Sequence, residues 1–181
     1  MKKGKIIIIT GPPATGKSTI SSLVAENSDL PKSVHMHTDD FYHYIKKGVT
    51  SPSLPESNVQ NEVVIEAFLK ATKTFAHNEY EVIVDGIIGP WFLDPWVELA
   101  KENYEVHYLI LRASKDITMK RALERIKLDE STNVELVETM WNQFTNLNNY
   151  ENNVINTTNQ TIDQTLQEIR QRIRNKENCL D

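Results

Sequence analysis

The sequence predicts an α/β protein: a three-layer α/β/α sandwich on a mostly parallel five-stranded sheet. Three observations predict it. Short β-branched runs alternate with amphipathic, helix-length segments from one end of the chain to the other. The runs Ile6–Ile9 and Val82–Val84 are apolar without a break and read as buried strands. The chemically distinctive residues fall just after such runs, where ligands bind in parallel sheets, beyond the carboxyl ends of the strands.

The elements follow in order. Lys5–Thr10 is the first strand, and 19–26 is a helix with Ile20, Leu23 and Val24 at helical spacing. Ser33–Thr38 is the second strand, ending in Asp39-Asp40. Gly48–Ser57, with Pro52 and Pro55, is a loop. Asn58–His77 is a helix with Val63, Val64, Ala67, Phe68, Ala71 and Phe75 on one stripe. Tyr80–Gly86 is the third strand, apolar and then abruptly acidic; Pro90–Asp94 is a turn and Trp96–Glu102 a short helix. Glu105–Leu111 is the fourth strand, and Ser114 caps a helix over 115–126. A helix over 133–147 carries Val134, Val137, Met140, Trp141 and Phe144 at burial spacing. Asn153–Asn156 is the fifth strand. A closing helix over 161–174 places Ile162, Leu166, Ile169 and Ile173 on its apolar face.

Length and composition fit a single domain over residues 1–181, with 39% hydrophobic and 25% charged residues. A net charge of −5 and a pI near 5.6 argue against a nucleic-acid-binding surface. No apolar run approaches the length of a membrane span. The basic start, Met1-Lys2-Lys3-Gly4, precedes a run too short for an export signal, so the expected location is the cytoplasm. The single cysteine, Cys179, has no second thiol for a disulfide.

The chemistry begins at Gly11-Pro12-Pro13-Ala14-Thr15-Gly16-Lys17-Ser18, which satisfies every fixed position of G-x-x-x-x-G-K-[ST] between a strand and a helix. Glycines let the backbone wrap a phosphate, and its N–H groups point inward at a helix N-terminus. Gly11, Ala14, Thr15, Gly16, Lys17, Ser18 and Thr19 are therefore the candidate nucleotide-binding residues. Lys17 would reach the β- and γ-phosphates and Ser18 would ligate Mg²⁺. ATP and Mg²⁺ are the expected cofactors.

Further candidates stand at the other strand ends. Asp39 or Asp40 is either the base for an acceptor hydroxyl or the N-cap of a following helix. Asp39 is the preferred base and Asp40 a substrate contact. Asp85 ends a buried strand as a Mg²⁺-holding acid does, or contacts substrate, with Gly86 allowing close approach. Arg121 and Arg125, four apart, share a helix face suited to a phosphate in transfer. Arg112 contacts nucleotide or caps the fourth strand. Trp91, with Phe92, offers an apolar substrate wall or core packing. His35 and His37 share a strand face and, with His43, read as satisfied histidines rather than a metal cluster.

With these motifs in hand, including Thr38-Asp39-Asp40-Phe41-Tyr42 and Val84-Asp85-Gly86, the chain resembles the small-molecule P-loop kinases. That group takes in gluconate kinase, shikimate kinase, chloramphenicol phosphotransferase and the zeta toxins. Leu54-Pro55-Glu56-Ser57, Gln60-Asn61-Glu62 and the run from Asp85 to Asp94 are similar to its bacterial AAA-type ATPases. The resemblance implies a P-loop NTPase fold and transfer of the γ-phosphate of Mg·ATP to a hydroxyl of a small molecule. It also implies Asp39 as base, Arg121 and Arg125 on a lid over 121–131, and Thr157 beside adenine. The chain lacks the arginine-rich lid of gluconate kinases and the adjacent glycine pair of shikimate kinases. The alternative expectation is a nucleotide-dependent switch or ATPase module acting on a protein partner.

Overall fold

The computed structural model describes residues 3–52, 54–126 and 134–181, with only the backbone of Arg125 and Ile126. Its centre is a parallel sheet of five strands: β1 (Lys5–Thr10), β2 (Ser33–His37), β3 (Glu81–Asp85), β4 (Glu105–Arg112) and β5 (Val154–Asn156). They lie in the order β2-β3-β1-β4-β5, and every pairing is parallel. The strand that feeds the phosphate loop is thus the central one. Ile6, Ile7, Ile8 and Ile9 are wholly buried because helices cover both faces. Each such side chain contributes about 1.5–3 kcal/mol by leaving water.

Alternation along the strands sends Ile7, Ile9, Ile83, Leu109 and Ile155 to one face. There they meet Ile20 and Val24 of α1 (Lys17–Glu26) and Ile169 and Ile173 of α7 (Ile162–Asn175). Ile6, Ile8, Val82, Val84 and Tyr108 point the other way. They pack on Phe68 and Ala76 of α3 (Asn58–His77), Trp96 and Leu99 of α4 (Asp94–Lys101), and Phe144 just after α6 (Val134–Gln143). α5 (Lys115–Ile126) and α6 lean on the phosphate loop through a small cluster of Ala14, Ala122 and Val137.

Four local expectations are corrected. β2 stops at His37, and Thr38 opens α2 (Thr38–His43), so Asp39 and Asp40 lie in its first turn rather than ahead of it. His37 occupies the N-cap with no side-chain bond, so neither aspartate caps the helix. On α3 the buried stripe is Val64, Phe68, Thr72 and Ala76, while Val63 is 61% exposed and Ala67 is also on the open side. The spacing of Val63 and Ala67 matched a helix face, but the sheet takes the adjacent one. Ile162 sits at the start of α7, 52% exposed, because the helix reaches the sheet only further along. A capping box between Thr161 and Gln164 satisfies the amides at that start.

β5 covers only residues 110–112 of β4. The remainder of that edge is met by the C-terminal segment: Tyr108 N donates to Asn178 O (2.9 Å) and Leu180 N to Val106 O (2.8 Å). Cys179 bridges antiparallel to His107, with Sγ 3.7 Å from Nδ1. Glu105 organises this region by accepting from His107 Nε2 (3.0 Å) and pairing with Lys176 (2.7 Å). Burial pushes the Glu105 carboxyl up, but Lys176 and His107 outweigh it and hold the pKa at about 2, against 4.5 ordinarily. A depressed carboxylate stabilises the fold above its unfolded pKa and loses that contribution as pH falls towards its folded one. Between about pH 4.5 and 2, Glu105→Gln should therefore lose less of its own urea midpoint than the parent protein. Parallel losses would remove Glu105 from the acid response.

Candidate active site

The phosphate loop has the conformation its sequence requires. Gly11 has φ +137°, and a Cβ there would lie 2.0 Å from Leu111 O, so only glycine fits against β4. Ala14 (φ 61°) and Gly16 (φ 85°) are both left-handed, the backbone alternation that turns successive N–H groups into a concavity. Thr15 Oγ1 donates to Pro12 O at 2.9 Å and closes the loop from inside. Gly16 is the N-cap of α1 with no side-chain cap, and the first turn carries no acid. The helix therefore presents uncapped N–H groups and its positive dipole end, as an anion site needs. Lys17 Nζ donates to Pro12 O (2.9 Å), folded back over the loop, while Ser18 and Thr19 are exposed at the helix start.

Asp85 ends β3 beside β1 and has no exposed surface. His35 Nε2 is 3.4 Å from its Oδ2 and His37 Nε2 3.8 Å. Burial pushes its pKa up. Hydrogen bonds from His35 and Ser18, with the fields of His37 and Lys17, reverse this and leave it below the ordinary carboxylate value. Asp85 Oδ1 is buried and has no hydrogen-bond partner among the described residues. An ionised carboxylate with one open oxygen next to a serine hydroxyl is a donor set that fits Mg²⁺. That ion takes one or two protein oxygens and completes its octahedron with phosphate and water. Among the described residues no three His, Cys, Asp or Glu side chains form a metal cluster.

Asp39 and Asp40 stand exposed on α2, two and three residues past the strand that pairs with β3 at His37–Asp85. The helix is held by Phe41, whose ring meets Phe68 of α3 edge-on at 4.9 Å and Tyr44 at 5.6 Å. Burial raises the Tyr42 phenol pKa, and the charge of Asp39 one turn away raises it further. Gly86 faces Thr38: a Cβ there would sit 2.1 Å from Thr38 Oγ1, so the ends of β2 and β3 are in contact. Ile88 N donates to Thr10 Oγ1 (2.8 Å) and Ile88 O accepts from Tyr108 (2.8 Å), fixing the segment after β3 to β1 and β4. That segment carries Trp91, 51% exposed, its ring over Gly89 and its edge on Phe144 at 5.5 Å.

Arg112 is engaged by protein groups: a two-pronged pair with Glu151 (3.0 and 2.8 Å) and a bond to Phe144 O (2.7 Å). These contacts tie the end of β4 to the segment around 144–151. Arg121 Nη2 donates to Thr157 O (3.2 Å), and Thr157 N donates to Arg112 O, so these three residues meet at the ends of β4 and β5. The Arg125 side chain and lid residues 127–131 lie outside the described residues.

Sequence reasoning missed the clasp that shapes the loop between α2 and α3. Gln60 grips Thr50 through both backbone groups (2.8 and 2.7 Å), and Ser57 and Asn61 hold Pro52 O. The motifs containing these residues were visible, but the pairing of position 50 with position 60 has no local signature.

A family model described as an AAA domain matches residues 7–142. A cytidylate kinase of Archaeoglobus fulgidus is 27% identical over 128 residues, 67% of this chain and 69% of that protein. Among solved structures, the tunicamycin resistance protein of Deinococcus radiodurans superposes with a TM-score of 0.65 at 18% identity, covering 94% of this chain and 96% of that one. A gluconokinase from Sinorhizobium meliloti 1021 does so with a TM-score of 0.63 at 15% identity, covering 97% of each. The chain belongs to the AAA domain family, and its fold is that of the P-loop kinases.

Proposed function

We propose that the protein is an ATP-dependent phosphotransferase that moves the γ-phosphate of Mg·ATP to a hydroxyl of a small molecule. The observation that carries this reading is the adjacency of two strand ends. One bears the buried Asp85 with its open oxygen, and the other runs directly into the helix bearing Asp39. A switch or ATPase module needs to position water, whereas a carboxylate on a helix anchored by Phe41 suits an acceptor alcohol.

In this reading the loop amides and Lys17 hold the β- and γ-phosphates. Ser18 and Asp85 would hold Mg²⁺, which supplies charge neutralisation along the phosphates when bound. Asp39 takes the proton of the acceptor hydroxyl, whose oxygen bonds to the γ-phosphorus. The bond to the β,γ-bridging oxygen breaks, and ADP leaves with that electron pair. Arg121 and Arg125, on the proposed lid over 121–131, offset charge on the transferred group, and closure keeps water from competing. Gly86 and Asp40 border the acceptor, and Arg112 and Thr157 the nucleotide. The relative named cytidylate kinase makes a nucleotide the competing acceptor.

The test is ADP release from Mg·ATP across a panel of hydroxylated metabolites, nucleosides and antibiotics, with products identified by mass spectrometry. The expected result is stimulation by an acceptor that emerges phosphorylated. ADP release that no acceptor alters, with inorganic phosphate as the only product, would favour the ATPase module.

A further inference from the structure

Among the described residues, the chain from Thr38 to Trp96 brings no guanidinium group to the acceptor side of the site. No arginine occurs before position 112. From Thr38 to Trp96, which takes in α2, the clasped loop, α3, β3 and the segment after it, the only cations besides histidine are Lys46, Lys47, Lys70 and Lys73. Lys70 pairs with Glu66 at 2.6 Å and Lys73 with Glu102. Lys46 turns back to donate to His43 O (2.9 Å). The same stretch holds Asp39, Asp40, Glu56 and Glu62 ahead of the middle of α3. Of the arginines that the structure describes beyond it, Arg112 pairs with Glu151, Arg170 and Arg174 with Asp29, and Arg172 with Glu168, while Arg121, bonded to Thr157 O, is assigned above to the transferred phosphate. An acceptor bearing its own phosphate or carboxylate, brought up to the γ-phosphate and beside Asp39, needs paired cations, and forked guanidiniums are the usual means. This wall offers Asp39, Asp40, Glu56 and Glu62 against the ammonium groups of Lys46 and Lys47.

What the wall does offer is aromatic and neutral polar. Trp91 is pinned between the Gly89 backbone and the Phe144 ring and still half exposed, so its free surface is a preorganised stacking platform. Phe92 beside it is 48% exposed. The loop between α2 and α3 is shaped by Thr50, Ser57, Gln60 and Asn61, all uncharged, and Asn61 Oδ1 is buried with no partner among the described residues.

Building on the phosphotransferase reading, we infer that the acceptor is an uncharged or cationic hydroxyl compound with an aromatic or heteroaromatic ring that stacks on Trp91. Phosphate- and carboxylate-bearing acceptors are disfavoured, because the described residues from Thr38 to Trp96 offer them no guanidinium and only the exposed ammonium groups of Lys46 and Lys47. This sets the expected acceptor apart from the nucleotide that the name of its relative, cytidylate kinase, suggests.

Matched pairs that differ only in the anionic group test this: cytidine against CMP, uridine against UMP, adenosine against AMP, and shikimate methyl ester against shikimate. Each is assayed for ADP release and phosphorylated product with the full chain. The expected result is that the neutral member of at least one nucleoside pair is phosphorylated, with kcat/KM at least tenfold above its anionic partner. Trp91→Ala should then raise KM for that nucleoside about tenfold or more, and by a larger factor than it lowers kcat. A preference for CMP, UMP, AMP or shikimate over the neutral partner overturns the inference and leaves the phosphotransferase reading standing. Nucleoside turnover with an unchanged KM in Trp91→Ala overturns the stacking role. ADP release without a phosphorylated product from any member overturns the phosphotransferase reading, and the inference falls with it.

Discussion

Lys17→Ala is expected to reduce acceptor-dependent ADP formation by about 10²–10³-fold, the usual cost of removing one preorganised donor from a developing charge. The size of this loss follows from what Lys17 does in the folded loop. Its ammonium lies against Pro12 O, at the lip of a concavity formed by left-handed Ala14 and Gly16 and by the uncapped start of α1. A phosphate in that concavity replaces the carbonyl with a far stronger partner, so the lysine is held near its working position before nucleotide arrives. The substitution removes a half-buried side chain from a helix N-terminus and leaves the packing of Ile20 and Val24 intact. The variant should accordingly fold, with a melting temperature within a few degrees of the parent, and show weakened nucleotide binding in equilibrium dialysis. Turnover close to the parent's would mean that this loop does not hold the transferred phosphate.

Asp39→Asn should lower phosphate transfer by about 10²–10⁴-fold, the range for a lost general base, while nucleotide binding changes little. Asparagine keeps the shape and stays in the first turn of α2, and Phe41 still fixes that helix on Phe68. The comparison with Asp40→Asn is informative because the two side chains diverge by about 100° around the same helix. If Asp39→Asn transfers normally and Asp40→Asn does not, the base is Asp40. If neither matters, the role passes to Asp85, whose carboxyl is already held ionised by His35, Ser18, His37 and Lys17.

The fold was legible in the sequence because its strands are short, β-branched and bounded by loops, and because one motif fixes where strand and helix must meet. Legibility ended where a decision depended on a neighbour. Val63 and Ala67 have the spacing of a core face, yet the core lies one step around the helix, on Val64 and Phe68. Thr38 is β-branched and reads as the last residue of β2, but it opens α2 instead, packed closely against Gly86. The site divides in the same way. Gly11, Gly16, Lys17 and Ser18 are defined by local spacing. The approach of His35 and His37 to Asp85 depends on the register of β2 on β3, and the link from Thr10 to Ile88 spans 78 residues. Strand alternation did place both histidines on one face, but nothing in the sequence named the carboxylate they would meet.

The way β4 is shared has a practical consequence. A β-strand with bare amides along one side is a template on which other chains can add, and natural sheets hide such sides. Here β5 hides only three residues, and Asn178–Leu180 hide the others by running the opposite way. Residues 178–180 are thus a guard against self-association, and removing them would expose the strand edge that they cover.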